Sequence, residues 1–242
     1  DASHMSIIIF TLLIGGMVMT HSDNKGLVLP PRLATTHVIV IPIPAKTQGD
    51  ARTRLLETAD LLATSIREAP GNAQLPYTVG VEVDRDETKQ PGSKFHEYEV
   101  LGIPLRIELG PRDLEKNQVV VTRRDTGKKE FVAIPQLADF VTLQLKCMQT
   151  DLLERARQHR EKWTFEVETW EEFQKKIEEP GGFLVVPWSQ DAAAEAKIKE
   201  ETKATLRCML LSEDFELISD KRPCFFTGKR EKGVRAIFAR AY

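Results

Sequence analysis

With 242 residues and a formal net charge of −2, the chain carries no global positive field, so any nucleic-acid contact must come from a local basic patch. At 41% hydrophobic and 29% charged residues the composition is that of an ordinary globular protein, long enough for two modest domains with cores of their own. Three widely spaced cysteines, Cys147, Cys208 and Cys224, argue against a disulfide framework and fit a reducing, cytoplasmic setting.

In chain order, residues 1–5 read as an expression scar and are set aside. Residues 6–19 are strongly apolar, interrupted by Gly15 and Gly16. About fourteen residues fall short of the roughly twenty that a membrane helix needs, and there is no basic flank, so a buried strand is predicted and no membrane contact. Residues 37–43 are a β-branched run suited to a strand buried on both faces. From Asp50 to about Ala69, Leu55, Leu56, Ala59, Leu62, Ala63 and Ile66 recur at helical spacing. Residues 77–83 alternate as a strand, and 84–90 form a charged loop.

Residues 91–129 carry punctuation at every junction. Gly92 and Ser93 open a helix and Gly102 closes it, Pro104 admits a strand over 105–109, and Gly110 and Pro111 start a second helix. A strand over 118–124 ends in the turn Asp125-Thr126-Gly127, with an edge strand expected at 131–134. After Pro135 a long helix runs to about Trp163, with apolar marks at Leu137, Phe140, Val141, Leu145, Met148, Leu152 and Leu153 and an almost entirely charged end. This order predicts an α/β domain with a mixed or parallel sheet, and a boundary near Arg160. Beyond it, short strands and helices, the first helix capped by Thr169 with Glu172 three residues on, make a second, small α/β domain. Cys147 and Cys208 lie on apolar faces and are expected in the core.

The chemistry follows from which side chains stand at element ends. Phe95 and Glu99 are four apart and share a helix face, Arg106 lies on the following strand, and Lys128 just past the next. An aromatic plate, a carboxylate and cations suit an unpaired nucleobase, through stacking, base-edge hydrogen bonds and phosphate contacts. The plainer alternative is Phe95 as a core anchor and Glu99 with Arg106 as an ion pair. No nucleophile elbow, P-loop or histidine pair at metal spacing is present, so no catalytic residue is assigned.

Lys94, Phe95, Glu99, Gly102, Pro104, Arg106, Glu108, Gly110, Pro111, Arg112 and Asp113, followed by Arg123 to Lys128, resemble the anticodon-binding domain of class II prolyl-tRNA synthetases of the archaeal and eukaryotic type. Residues 26–34 resemble the segment that joins that family's catalytic domain to it. The resemblance implies a five-stranded mixed-sheet anticodon-binding domain over 35–160, a C-terminal domain over 161–242, and a remnant of the catalytic domain's end over 6–34. It also implies roles. Phe95 stacks on an anticodon base, Glu99 and Arg106 read guanines, and Lys128 takes an adjacent base or phosphate. Arg123, Arg124 and Lys129 contact phosphates, and Tyr242 reaches toward the catalytic domain.

The implied partners are proline tRNA and a catalytic domain or full-length synthetase, with no DNA. Full-length members use ATP and magnesium to attach proline to tRNA. Leu12 stands where the family has an ATP-contacting arginine, and the chain alone is expected not to activate proline. Many relatives bind zinc through four cysteines in the C-terminal domain; here Ser189 and Ala194 stand at the first pair and only Cys224 remains of the second, so no zinc is expected. A rival reading is a truncated paralogue that regulates through protein contacts.

Overall fold

Along residues 105–109, Leu105, Ile107 and Leu109 alternate with Arg106 and Glu108, and a strand turns that alternation into two faces of different chemistry. The computed structural model describes residues 2–43, 49–86, 88–230 and 233–240. Two compact units divide between Glu154 and Arg155.

The first unit holds the five-stranded mixed sheet that the resemblance implies. Its strands are β3 (Val38–Pro42), β4 (Val81–Val83), β5 (Leu105–Leu109), β6 (Gln118–Arg123) and β7 (Lys129–Ala133), preceded in sequence by the hairpin β1 (Ser22–Asp23) and β2 (Gly26–Leu27). The order is β4-β3-β5-β6-β7, with β3 parallel to β4 and β5, and β6 antiparallel to β5 and β7. One face carries Val38, Val40, Leu105, Ile107, Leu109, Val119 and Val121. It packs against Leu55, Ala59, Leu62 and Ile66 of helix α2 (Asp50–Arg67) and Leu137, Val141 and Leu145 of helix α5 (Leu137–Lys162). The opposite face presents the row Ile39, Arg106, Thr122 and Lys129 across four adjacent strands. Helices α3 (Pro91–Leu101) and α4 (Pro111–Glu115) flank β5.

Residues 6–19 depart from the expected strand and lie in helix α1 (Ala2–Thr20). A strand needs a neighbour to satisfy its backbone groups, whereas a helix satisfies them internally, and a short apolar run is compatible with either. Leu12, Leu13, Ile14, Val18 and Met19 stand exposed on it. Among the described residues no helix is long and apolar enough to cross a membrane.

His37, just before β3, ties the linker to the sheet. Its Nδ1 accepts the Gly80 N–H at 3.0 Å, its Nε2–H donates to the Pro31 carbonyl at 2.9 Å, and its ring stacks on Tyr77 with centroids 4.7 Å apart. This wiring requires the neutral imidazole, and burial lowers the pKa below 6.5, outweighing the opposing pull of the Pro31 carbonyl. The unfolded chain therefore takes up the proton first. The contribution is complete above the unfolded value and is lost as pH falls below it. His37→Gln is expected to flatten the loss of urea resistance between about pH 7.5 and about pH 5.5. Burial lowers the His21 pKa too, so some slope persists in the variant.

The second unit has strands β8 (Thr164–Glu166), β9 (Phe183–Trp188), β10 (Ala204–Met209), β11 (Ser219–Asp220) and β12 (Gly233–Arg240), in the order β10-β12-β9-β8 with β11 also on β12. Helices α6 (Trp170–Glu178) and α7 (Ala192–Thr202) pack on it through Phe173, Ile177, Ala194 and Ile198. Thr169 caps α6 as expected, its Oγ1 accepting the Glu172 N–H at 3.3 Å, while the Glu172 carboxylate reaches back to the Glu168 N–H at 3.3 Å. Of the two cysteines expected in the core, Cys147 is half-buried and Cys208 is exposed, while Cys224 is the buried one. Cys208 lies on the outer strand β10 beside a register shift, which removes it from the packed face.

Candidate functional site

Helix α3 begins with Pro91 in its first turn and ends at Gly102, whose φ of 75° is the left-handed value that favours glycine. That places Phe95 and Glu99 above the polar sheet face. The Arg106 guanidinium lies 4.2 Å from the Phe95 ring centroid, and its Nη1 is 3.5 Å from Glu99 Oε1. Its Nε and Nη2 both reach Glu108 Oε1 at 3.1 Å. Glu108 Oε1 also accepts from Lys129 Nζ at 3.3 Å and Thr122 Oγ1 at 3.4 Å. Lys129 Nζ sits 5.8 Å from the Phe95 ring. Phe95 is half-buried and belongs to neither hydrophobic core, so it is not the core anchor of the plainer alternative. The Glu99–Arg106 ion pair of that alternative is present.

The structure therefore joins Phe95, Glu99 and Arg106, as the spacing suggests, but the lysine beside them is Lys129. Register decides this, because Lys129 stands opposite Thr122 in the same row as Arg106. Lys128, before the strand begins, is exposed and pairs with Glu130 at 3.2 Å. The other two expected phosphate contacts are engaged inside the fold. Arg123 holds both oxygens of Asp125 at 3.0 and 2.9 Å, Asp151 at 2.8 Å and Gln144 at 3.2 Å. These carboxylates, Asp125 first, push its pKa up despite burial. Arg124 holds both oxygens of Asp23 at 2.7 Å and the Glu99 carbonyl oxygen at 2.9 Å. Neither guanidinium is left for a phosphate without breaking those contacts. Tyr242 lies outside the described residues.

Beside the Glu99–Arg106 pair opens a cavity of about 160 Å³ lined by Asp23, Lys25, Tyr98, Glu99, Arg106 and Arg124 among others. Burial, and then the neighbouring Asp84 carboxylate, push the Tyr98 hydroxyl pKa up, so it stays protonated. Chemically, the site offers an aromatic plate backed by a guanidinium, two carboxylates and an exposed ammonium, all within reach of a planar ligand with donors and acceptors on one edge. Glu108 is the residue the sequence reading left without a role. Its position two residues from Arg106 on one strand, hence on the same face, is the signal that marks it.

An anticodon-binding-domain model matches residues 37–144, and the model of the prolyl-tRNA synthetase C-terminal region matches residues 170–242. Proline–tRNA ligase 2 of Clostridioides difficile is 43% identical over 232 residues, covering 96% of this chain and 44% of that protein. The proline–tRNA ligase of Chloroherpeton thalassium is 43% identical over 241 residues, covering 96% and 46%. The crystal structure of prolyl-tRNA synthetase from Cryptosporidium parvum, complexed with L-proline and AMP, superposes with a TM-score of 0.79 at 32% identity, over 95% of this chain and 46% of that one. The chain matches the C-terminal part of prolyl-tRNA synthetases. It spans somewhat less than half the length of these relatives, and Phe95, Glu99, Arg106 and Lys129 lie within the anticodon-binding-domain match.

The zinc that the family resemblance brings into question does not fit the residues at its position. Cys224 offers one thiol, and its sulfur receives the Ser189 hydroxyl at 3.3 Å. Burial pushes that thiol up, but hydrogen bonds from Ser189, Thr227 and the backbone outweigh it and hold the pKa below the usual value. One sulfur with Ser189, Ala194 and Thr227 cannot supply a tetrahedral thiolate set. Among the described residues no group of three or more His, Cys, Asp and Glu is arranged to hold a metal.

Proposed function

We propose that this chain reads the anticodon of proline tRNA as the C-terminal part of a prolyl-tRNA synthetase. The observation that carries this is the Phe95–Arg106 stack flanked by Glu99, Glu108 and Lys129 on the open side of the sheet. Phe95 offers its free face to a base. Glu99 accepts from the donor edge of a guanine, Arg106 donates to base acceptors, and Lys129, 53% exposed, meets a phosphate or a neighbouring base. Lys128 serves the same backbone at longer range. ATP-dependent attachment of proline belongs to the complete synthetase, with which this chain acts through a catalytic domain. We place it in the cytoplasm, in keeping with three free cysteines. In the C-terminal unit, aromatic packing stands in place of zinc.

The test is a titration at fixed salt against proline tRNA and against the same tRNA with both anticodon guanines replaced. The chain is expected to prefer the first. Glu99→Ala is expected to reduce that preference about tenfold, and Lys129→Ala to weaken binding to both tRNAs more than Lys128→Ala does. Equal binding of the two tRNAs by the unsubstituted chain would sink the base-reading role. Failure to bind either, while a full-length synthetase binds, would show that affinity resides in the catalytic domain.

A further inference from the structure

The helix that carries Phe95 and Glu99 is not docked by an apolar face. Of α3 only Lys94 is buried, and its Nζ meets Asp84 Oδ1 at 3.0 Å with both side chains almost sealed from solvent. At the other end, the Arg124 Nε donates to the Glu99 carbonyl oxygen at 2.9 Å, while Nη1 and Nη2 hold the two Asp23 oxygens at 2.7 Å. Polar contacts at each end thus position the helix.

Asp23 lies in the hairpin β1–β2, 101 residues from Arg124 in sequence, and that hairpin meets α3 backbone to backbone. A Cβ on Gly26, where φ is 134°, would fall 2.4 Å from Val100 Cα, and one on Gly102 would fall 2.6 Å from the Leu27 Cβ. The Leu29 N–H donates to the Gly102 carbonyl at 3.2 Å. Both contact points are glycines, and only a glycine permits so close an approach. Asp23 and Lys25 then line the same cavity as Glu99 and Arg106.

From this geometry we propose that the hairpin β1–β2 is the second wall of the base-reading cavity, and that Asp23, through Arg124, is a positioning residue for Glu99. The proposal rests on the anticodon-reading function above. Arg124 grips the Glu99 backbone while the Glu99 side chain meets Arg106, so the aim of that carboxylate depends on where the guanidinium is held. A carboxylate accepting two parallel N–H bonds fixes the plane of a guanidinium, which a single acceptor does not. In Asp23→Asn one carboxylate oxygen becomes an NH2 donor facing an Arg124 N–H, which leaves that donor of a buried guanidinium unpaired, and the nearest remedy is for Arg124 to turn, carrying the end of α3 with it. The expected result is a loss of discrimination between bases, with phosphate-driven affinity retained.

Two measurements on the whole chain test this, comparing Asp23→Asn and Asp23→Glu with the unsubstituted protein and with Glu99→Ala as the floor. The first is the ratio of affinities for proline tRNA and for the guanine-replaced tRNA. Asp23→Asn is expected to cut this ratio about fivefold while binding to the altered tRNA stays the same, with Asp23→Glu recovering part of it. The second uses no RNA. Exchange of the Gly102 and Ile103 amide hydrogens, which bond the Glu99 and Tyr98 carbonyls, is expected to accelerate in Asp23→Asn. A full ratio with unchanged exchange in Asp23→Asn would overturn the positioning role even if the melting temperature dropped. A ratio near one in the unsubstituted chain would overturn the base-reading function itself, and accelerated exchange would then show the Asp23 contact to be purely structural.

Discussion

Arg106→Ala is expected to cost about 3 kcal/mol of unfolding free energy and to abolish discrimination between the two tRNAs. The guanidinium is buried on the polar face, where it stacks on Phe95 and answers two carboxylates. Glu108, only 11% exposed at its side chain, would retain Thr122 and the partly solvated Lys129 as partners. Breaking a buried pair by deleting one partner leaves an under-compensated charge, which is why the expected loss greatly exceeds the value of a surface ion pair. Pairing the change with Glu108→Gln should recover part of the loss, because the stranded charge is then gone. Urea unfolding of the single and double variants measures both effects. A loss below about 1 kcal/mol in Arg106→Ala would place the residue among solvated surface cations.

Phe225→Ala is expected to destabilise the C-terminal unit by about 3 to 5 kcal/mol. Phe225 is buried, with ring centroids 4.8 Å from Phe173, 5.6 Å from Phe238, and 6.1 Å from both Trp170 and Trp188. Truncation removes the ring on which these contacts converge, and the cavity left behind has rigid neighbours that cannot close on it. All three tryptophans of the chain, Trp163, Trp170 and Trp188, lie in this unit, so tryptophan fluorescence follows its unfolding selectively. The same assay tests the proposed absence of zinc. A chelator is expected to leave the unfolding midpoint unchanged, whereas a structural zinc would make it fall sharply. Aromatic packing and metal ligation are alternative ways to close a small core, and Phe225 with Phe226 beside Trp170 supplies the first.

What could be read from the sequence alone was whatever depends on near neighbours in the chain. The period-two pattern of residues 105–109 determined both a strand and the separation of Arg106 and Glu108 from the core face. Helical spacing determined the buried face of α2, Gly102 the end of α3, and the four-residue interval that Phe95 and Glu99 share a side. The family motif spans the same stretch because its residues are local.

Only the tertiary structure decided which charged side chains remain available to a ligand. Arg123 and Arg124 look like free cations in sequence; Asp125, which Arg123 grips, is a near neighbour, but its further partner Asp151 and Arg124's partner Asp23 lie 28 and 101 residues away. Lys129 replaces Lys128 beside Phe95 because strand register, set by pairing with β6, determines which neighbour enters the row of Arg106. The apolar run 6–19 formed a helix because its composition specifies burial but not a pairing partner, and without one the backbone satisfies itself. Local spacing determines which face a side chain occupies. Whether that side chain is spare depends on charges brought near it by folding, and for Arg124 no window of neighbouring residues contains its partner.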